Sequence, residues 1–113
     1  MDECYRINNL FPSVTEIRIH YKEEYRSCFG IFNKEQTLFR HPEELAEFKI
    51  RCANNDCTRK FFDLYSEVSN AIHHRECEAN GVLECEGQEA KDHQYNCPTT
   101  LEYTIQIKYN SQI

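Results

Sequence analysis

No tryptophan occurs in the 113 residues, and glycine and proline occur only three times each. So little punctuation excludes collagen-like, low-complexity and linker-divided architectures. No internal repeat is visible, and the length is that of a single domain, residues 1–113. Long apolar runs are missing too. The densest, residues 28–32 (Cys-Phe-Gly-Ile-Phe), is far too short to cross a bilayer. The opening Met-Asp-Glu-Cys has neither the basic end nor the apolar stretch of a secretory signal. The expectation is therefore a cytoplasmic chain with reduced thiols and no membrane association. Positive charge is in deficit, with 13 Lys and Arg against 19 Asp and Glu and a net charge of −6. That balance opposes binding to phosphate backbones and to anionic lipid. Also absent are a nucleophile elbow, a phosphate loop, a dinucleotide fingerprint, an HExxH helix and a C-x-x-C redox pair. Catalysis is not expected.

Apolar material is present in moderation. Leu, Ile, Val and Phe make up 25 of the 113 residues, and seven tyrosines supplement them. A core of that size is modest, and a bound metal would add directly to folding free energy. The first thirteen residues show no period and read as loosely ordered. Strict alternation begins at Val14, with Ile17, Ile19 and Tyr21 against Arg18, His20 and Lys22, the mark of a half-buried strand. Residues 22–27 read as a turn, residues 28–32 as a strand buried on both faces with Cys28 as a small core residue, and residues 37–39 as a possible further strand. Pro42 followed by two glutamates reads as the start of a short helix carrying Leu45 and Phe48. Phe61, Tyr65, Val68 and Ile72 fall on one helical stripe, with Asn80-Gly81 as its end and a strand from Val82. The last strand is the clearest, with Leu101, Tyr103, Ile105, Ile107 and Tyr109 alternating with polar residues. The class is α+β: a small, largely antiparallel sheet with one main helix, stabilised by zinc.

Seven cysteines are present. Four of them form Cys52-x4-Cys57 and Cys85-x11-Cys97. Two cysteines two to four residues apart reach one metal ion from a single tight loop, and the Ala-Asn-Asn-Asp between the first pair is turn-forming. The second pair brackets a polar loop between two strands, whose ends can meet. The expected cofactor is Zn2+, held by Cys52, Cys57, Cys85 and Cys97. A rival set, Cys52, Cys57, His73 and Cys77, spells C-x4-C-x15-H-x3-C, like a C2HC finger. On the helical stripe, however, His73 and Cys77 turn away from the core side, and the gap of 15 exceeds the usual 12. A third alternative is that the thiols bind no metal, as small buried hydrophobes or disulfide partners. The Cys52–Cys57 segment resembles the knuckle of zinc-ribbon and treble-clef-like domains, departing from them in its four intervening residues and in having no glycine after the second cysteine. Residues 50–109 look like small uncharacterised bacterial zinc-binding proteins with the same cysteine order, a likeness that implies no activity.

Three functions compete. Four cysteines close the shell of a metal, whereas a catalytic zinc keeps an open position. That favours a non-catalytic structural-zinc domain acting as a protein-interaction or adapter module, whose partner is a protein. The first alternative is a nucleic-acid-binding zinc protein using Lys49, Arg51, Arg59 and Lys60, which flank the first cysteine pair against a single Asp56. Charge compensation of the thiolates accounts for the same four residues, and no nucleic-acid partner is expected. The second alternative is a metal- or thiol-dependent enzyme. Oligomeric state is not legible.

Overall fold

The computed structural model describes residues 2–27, 30–54, 57–87 and 97–110. Alternation at the two ends of the chain produces its main sheet. β1 (Val14–Ser27) and β6 (Thr99–Tyr109) pair antiparallel, with Ile17 opposite Ile107 and Ile19 opposite Ile105. β2 (Gly30–Arg40) flanks β1, and β5 (Glu78–Glu84) flanks β6, giving the antiparallel order β2-β1-β6-β5. A separate two-stranded ribbon joins β3 (Lys49–Arg51) to β4 (Phe61–Asp63). Among the described residues two α-helices, α1 (Ile7–Leu10) and α2 (Tyr65–His73), complete a small, sheet-rich α+β fold.

One face of the four-stranded sheet is apolar. Ile17, Ile19, Leu101, Ile105 and Ile107 are buried there in a single cluster with Val68, Ala71 and Ile72 of α2 and with Phe48, Ile50 and Phe62 around the ribbon. Gln106 and Lys108 are exposed, as alternation requires, while Tyr103 is half-buried. Its ring lies across β5, where a Cβ on Gly81 would sit 2.6 Å from the Tyr103 hydroxyl oxygen. Asn80-Gly81 lies inside β5, paired with Thr104 and Tyr103 of β6, instead of ending a helix.

Several local expectations are corrected. Residues 22–27 do not turn: β1 continues to Ser27, because β2 pairs with it over that stretch and β6 as far as Tyr25. β2 runs unbroken from Gly30 to Arg40, and Ile31 and Phe32 are 58% and 55% exposed, so the strand is not buried on both faces. Cys28 lies outside the described residues. No helix follows Pro42. The backbone there bonds to the chain's beginning instead: Ile7 N donates to Glu44 O (2.9 Å), Asn8 N to Pro42 O (2.8 Å) and Ala46 N to Tyr5 O (2.8 Å). The same bonds hold the N-terminal segment, expected to be loose, against the body, with Ile7 fully buried. The main helix starts four residues later than its apolar stripe suggests. Phe61 and Phe62 belong to β4, and Asp63 Oδ1 accepts from Tyr65 N at 3.0 Å, an Asx turn that leads into the helix, whose N-cap Leu64 has no side-chain cap bond. Its end is Arg75, left-handed at φ 56°, with Arg75 N and Glu76 N taking the carbonyls of Ile72 and Ala71. Among the described residues no helix is long and apolar enough to cross a membrane.

Candidate metal centre

Two hairpin ends converge at one end of the sheet. The β3–β4 ribbon continues past its last rung: Cys52 N donates to Lys60 O (2.7 Å), and Lys60 adopts the left-handed conformation (φ 68°) that swings the chain back into β4. Within this loop Cys57 N donates to Asn54 O (3.1 Å), and Cys52 and Cys57 are both buried. The second pair comes from an extension of the β5–β6 ladder. Its register holds beyond the strands proper, since Cys85 N donates to Thr99 O and Cys97 N to Gly87 O, each at 2.9 Å. Cys85 and Cys97 therefore lie on opposite strands but on the same, core-facing side. Residues 88–96 of its loop lie outside the described residues.

The four sulfurs form one buried cluster, all within 4.8 Å of one another. Cys52 Sγ is 3.6 Å from Cys97 Sγ and 3.9 Å from Cys85 Sγ, and Cys57 Sγ is 3.3 Å from Cys85 Sγ. These separations are far longer than the roughly 2.05 Å of a disulfide. They bracket the edge of about 3.8 Å of a sulfur tetrahedron around an ion at about 2.3 Å. Polar groups of the chain are aimed at the sulfurs: Asn54 Nδ2 donates to Cys97 Sγ (3.4 Å), Gly87 N donates to Cys85 Sγ (3.5 Å), and Thr99 Oγ1 lies 3.3 Å from Cys97 Sγ. Donor type, burial and spacing fit the cluster to hold one metal ion.

Electrostatics agree with the geometry. Burial pushes the Cys52 thiol up to about 11 and raises Cys85 as well, only partly offset by hydrogen bonds. Burial also pushes Cys97 upward, but hydrogen bonds from Thr99, Asn54 and Cys52 outweigh it, and this thiol lies below its ordinary value. The protein alone thus eases ionisation at Cys97 and opposes it at Cys52 and Cys85. Ionising all four demands a cation among them, since a bound dication inverts the cost of gathering negative charge.

Gly87 completes the cluster by having no side chain: a Cβ there would meet Cys57 Sγ at 2.5 Å and the Arg59 amide nitrogen at 3.0 Å. Glu23 of β1 is fully buried and accepts from Ala53 N (3.0 Å), tying the first cysteine loop to the sheet. From the sequence, Gly87, Asn54 and Thr99 have no assigned part in the site, and Glu23 beside Glu24 reads as a solvated face, which its full burial corrects. The one available signal is Cys85-Glu-Gly87, a glycine two places after a cysteine.

The remaining candidates stay apart. His73 and Cys77 are exposed and do not join Cys52 and Cys57, so the C2HC arrangement is not assembled. Cys4 is exposed. Lys49, Arg51, Arg59 and Lys60 all point to solvent, and Arg59 pairs with Glu86 at 3.8 Å. The concavity beside the cysteines, lined by Arg59, Phe61, Glu67, Leu83 and Glu86, holds about 190 Å³, below the roughly 300–1,000 Å³ of small-molecule sites. Comparison with known proteins gives no match among protein families, curated proteins or solved structures.

Proposed function

We propose that this protein is a non-catalytic domain whose tertiary structure is held by one structural zinc ion on Cys52, Cys57, Cys85 and Cys97, and that it serves as a protein-interaction or adapter module. The observation that carries this reading is the closed donor set: four buried sulfurs from two hairpin ends, all within 4.8 Å. Four protein thiolates leave no position for a water or substrate, which is the pattern of structural sites. The presentation of one cysteine pair by each of two hairpins supports the likeness of the Cys52–Cys57 turn to a zinc-ribbon knuckle. The interaction role is supported by the aromatic side chains left on the surface, among them Tyr5, Phe32, Phe39 and Phe61, a residue class that interfaces favour.

Metal analysis of the purified chain, with reactive thiols counted before and after chelation, tests the reading. The expected result is one zinc per chain, four thiols unmasked by chelation and a large fall in melting temperature. Iron takes the same four thiolates, and the elemental assay separates the two. Cys57→Ser is expected to unfold the domain or lower its Tm sharply, because lost metal affinity is lost folding free energy. A metal-free protein of unchanged Tm, or a Cys57→Ser variant that melts like wild type, would show that the cluster is only a set of buried thiols.

A further inference from the structure

β2 lies at one edge of the sheet, and among the described residues no other strand pairs with its outer side. Folded proteins blunt such edges by shortening, bulging or covering them, or by placing proline and several charges in them. β2 does little of this. It is eleven residues long, holds its register with β1 from Arg40 to Gly30 without a shift, and contains no proline. Its two central charges are engaged with β1: Lys34 stands opposite Glu23, and Glu35 Oε1 lies 2.7 Å from His20 Nε2. The opposite edge, β5, is seven residues long and has glutamate at both ends.

The order of residues along β2 is symmetric. Ile31 and Phe32 stand at one end, Leu38 and Phe39 at the other, and the five residues between are polar. Ile31, Phe32 and Phe39 are 58%, 55% and 45% exposed. Consider a second β2 laid antiparallel with Glu35 on a two-fold axis. Ile31 then faces Phe39 of the other copy, Phe32 faces Leu38, Asn33 faces Thr37 and Lys34 faces Gln36. Opposed residues share a sheet face, so apolar side chains meet apolar ones on both faces. A shift by two residues in either direction ruins this, setting Ile31 against Thr37 or Phe39 against Asn33. A shift by one reverses the faces.

We propose that β2 is a homodimerisation edge: two copies pair antiparallel along this strand about Glu35, joining their sheets into one of eight strands. The partner is a second copy of this chain because the pattern complements itself, and a two-fold contact requires the same patch on both sides. The two opposed glutamates are the unfavourable element. Each has Lys22 as its cross-strand neighbour and His20 in hydrogen-bond contact, which offset the like charges. One strand per copy is a small interface, so association is expected in the range of about 10–100 μM. The inference goes beyond the metal reading and does not depend on it.

Sedimentation velocity on the full, metal-loaded chain tests it, with metal content checked in every sample. Wild type is expected to reach twice the 13.5 kDa chain mass as concentration rises to about 500 μM. Ile31→Lys combined with Phe39→Lys sets lysine against lysine across the axis and should weaken the dimer by about 30-fold or more. Ile31→Lys combined with Phe39→Glu sets opposite charges together at the same two places and should associate more tightly than the double lysine variant, by relieving the repulsion. Both positions are exposed in the single chain, and circular dichroism checks that the variants fold. Should the double lysine variant not fold, Asn33→Lys with Thr37→Lys, the next pair toward the axis on the same sheet face, carries the same test. A wild-type monomer at about 500 μM, a dimer indifferent to the lysines, or a charge-paired variant that associates no better than the double lysine variant each overturns the proposal.

Discussion

A methyl group on Gly87 would enter the space of Cys57 Sγ, so the smallest side chain at the centre is also its tightest constraint. Gly87→Ala must push the two cysteine loops apart. Because outer contacts that hold ligands in place are commonly worth about 10–100-fold in metal affinity, a loss of that order is expected in competition with a chromophoric chelator. Wild-type affinity in Gly87→Ala would show that the loops yield without cost. Glu23 poses a different problem. One carboxylate oxygen accepts from Ala53 N, while the other is buried with no hydrogen-bond partner. Burial raises its pKa above the ordinary 4.5, and the opposing pull of Lys34 and of the Ala53 amide does not cancel it. A carboxyl raised on folding contributes stability below its ordinary value and loses that contribution as pH rises through the folded value. Glu23→Gln keeps an oxygen for Ala53 N and removes the charge. It should therefore be more stable than wild type at pH 8, by a margin that shrinks as pH falls toward 5 in urea titrations. A margin that widens toward acid would mean that the ionised form is the favoured one. These two residues were not legible in the sequence, whereas the four cysteines were. Thiols at knuckle spacing mark a candidate metal cluster from local sequence alone, but Gly87 and Glu23 act through Cys57 and Ala53, which are distant in the chain.

Elements were legible where one face meets core and the other meets water. β1 and β6 satisfy that condition over long stretches, and their alternation placed Ile17, Ile19, Ile105 and Ile107 inside, where they are found. Ile105 is fully buried opposite Ile19. Ile105→Ala should cost about 2–5 kcal/mol through lost burial and the cavity left behind, read as a lower urea midpoint with an unchanged slope. An unaltered midpoint would mean that the sheet closes over the gap. Elements failed to show where pairing, not burial, sets the conformation. Residues 22–27 are mostly polar and still extended, because strands on both sides take up their backbone groups. Pro42-Glu-Glu has a helix-start composition, yet its carbonyls are taken by amides near residue 7, a long-range choice that no local propensity reports. Phe61 fits a helical stripe and belongs to a strand, since Phe62 is the ring that faces the core and the stripe resumes at Leu64 and Val68.

The whole molecule is long for its mass. Its radius of gyration is 15.9 Å and its extents are 55 × 29 × 20 Å, whereas a compact chain of about 100 residues has a radius near 13 Å. That shape spreads charge over much surface, and surface charge decides the remaining functional question. The net charge is −6. Four thiolates around one dication would make it two units more negative. Lys49, Arg51, Arg59 and Lys60 are exposed near the cysteine loop, but Arg59 is paired with Glu86, and Asp63 stands opposite Lys49 on the ribbon. Four cations in all, two of them with an acidic neighbour, are there to release counterions from a phosphate backbone, and the field of the rest of the protein works against them. We therefore predict no appreciable binding of nucleic acid at physiological salt. Fluorescence anisotropy with labelled single- and double-stranded oligonucleotides at about 150 mM salt is the measurement. The competing module would bind at micromolar concentration or tighter, weaken steeply with added salt, and lose its affinity when Arg51, Arg59 and Lys60 are replaced by alanine. Binding with that salt dependence and that sensitivity would make the basic loop a phosphate-contacting surface despite the acidity around it. Weak binding that the triple variant leaves unchanged would instead place the contact elsewhere and leave the loop charges as partners of the thiolates.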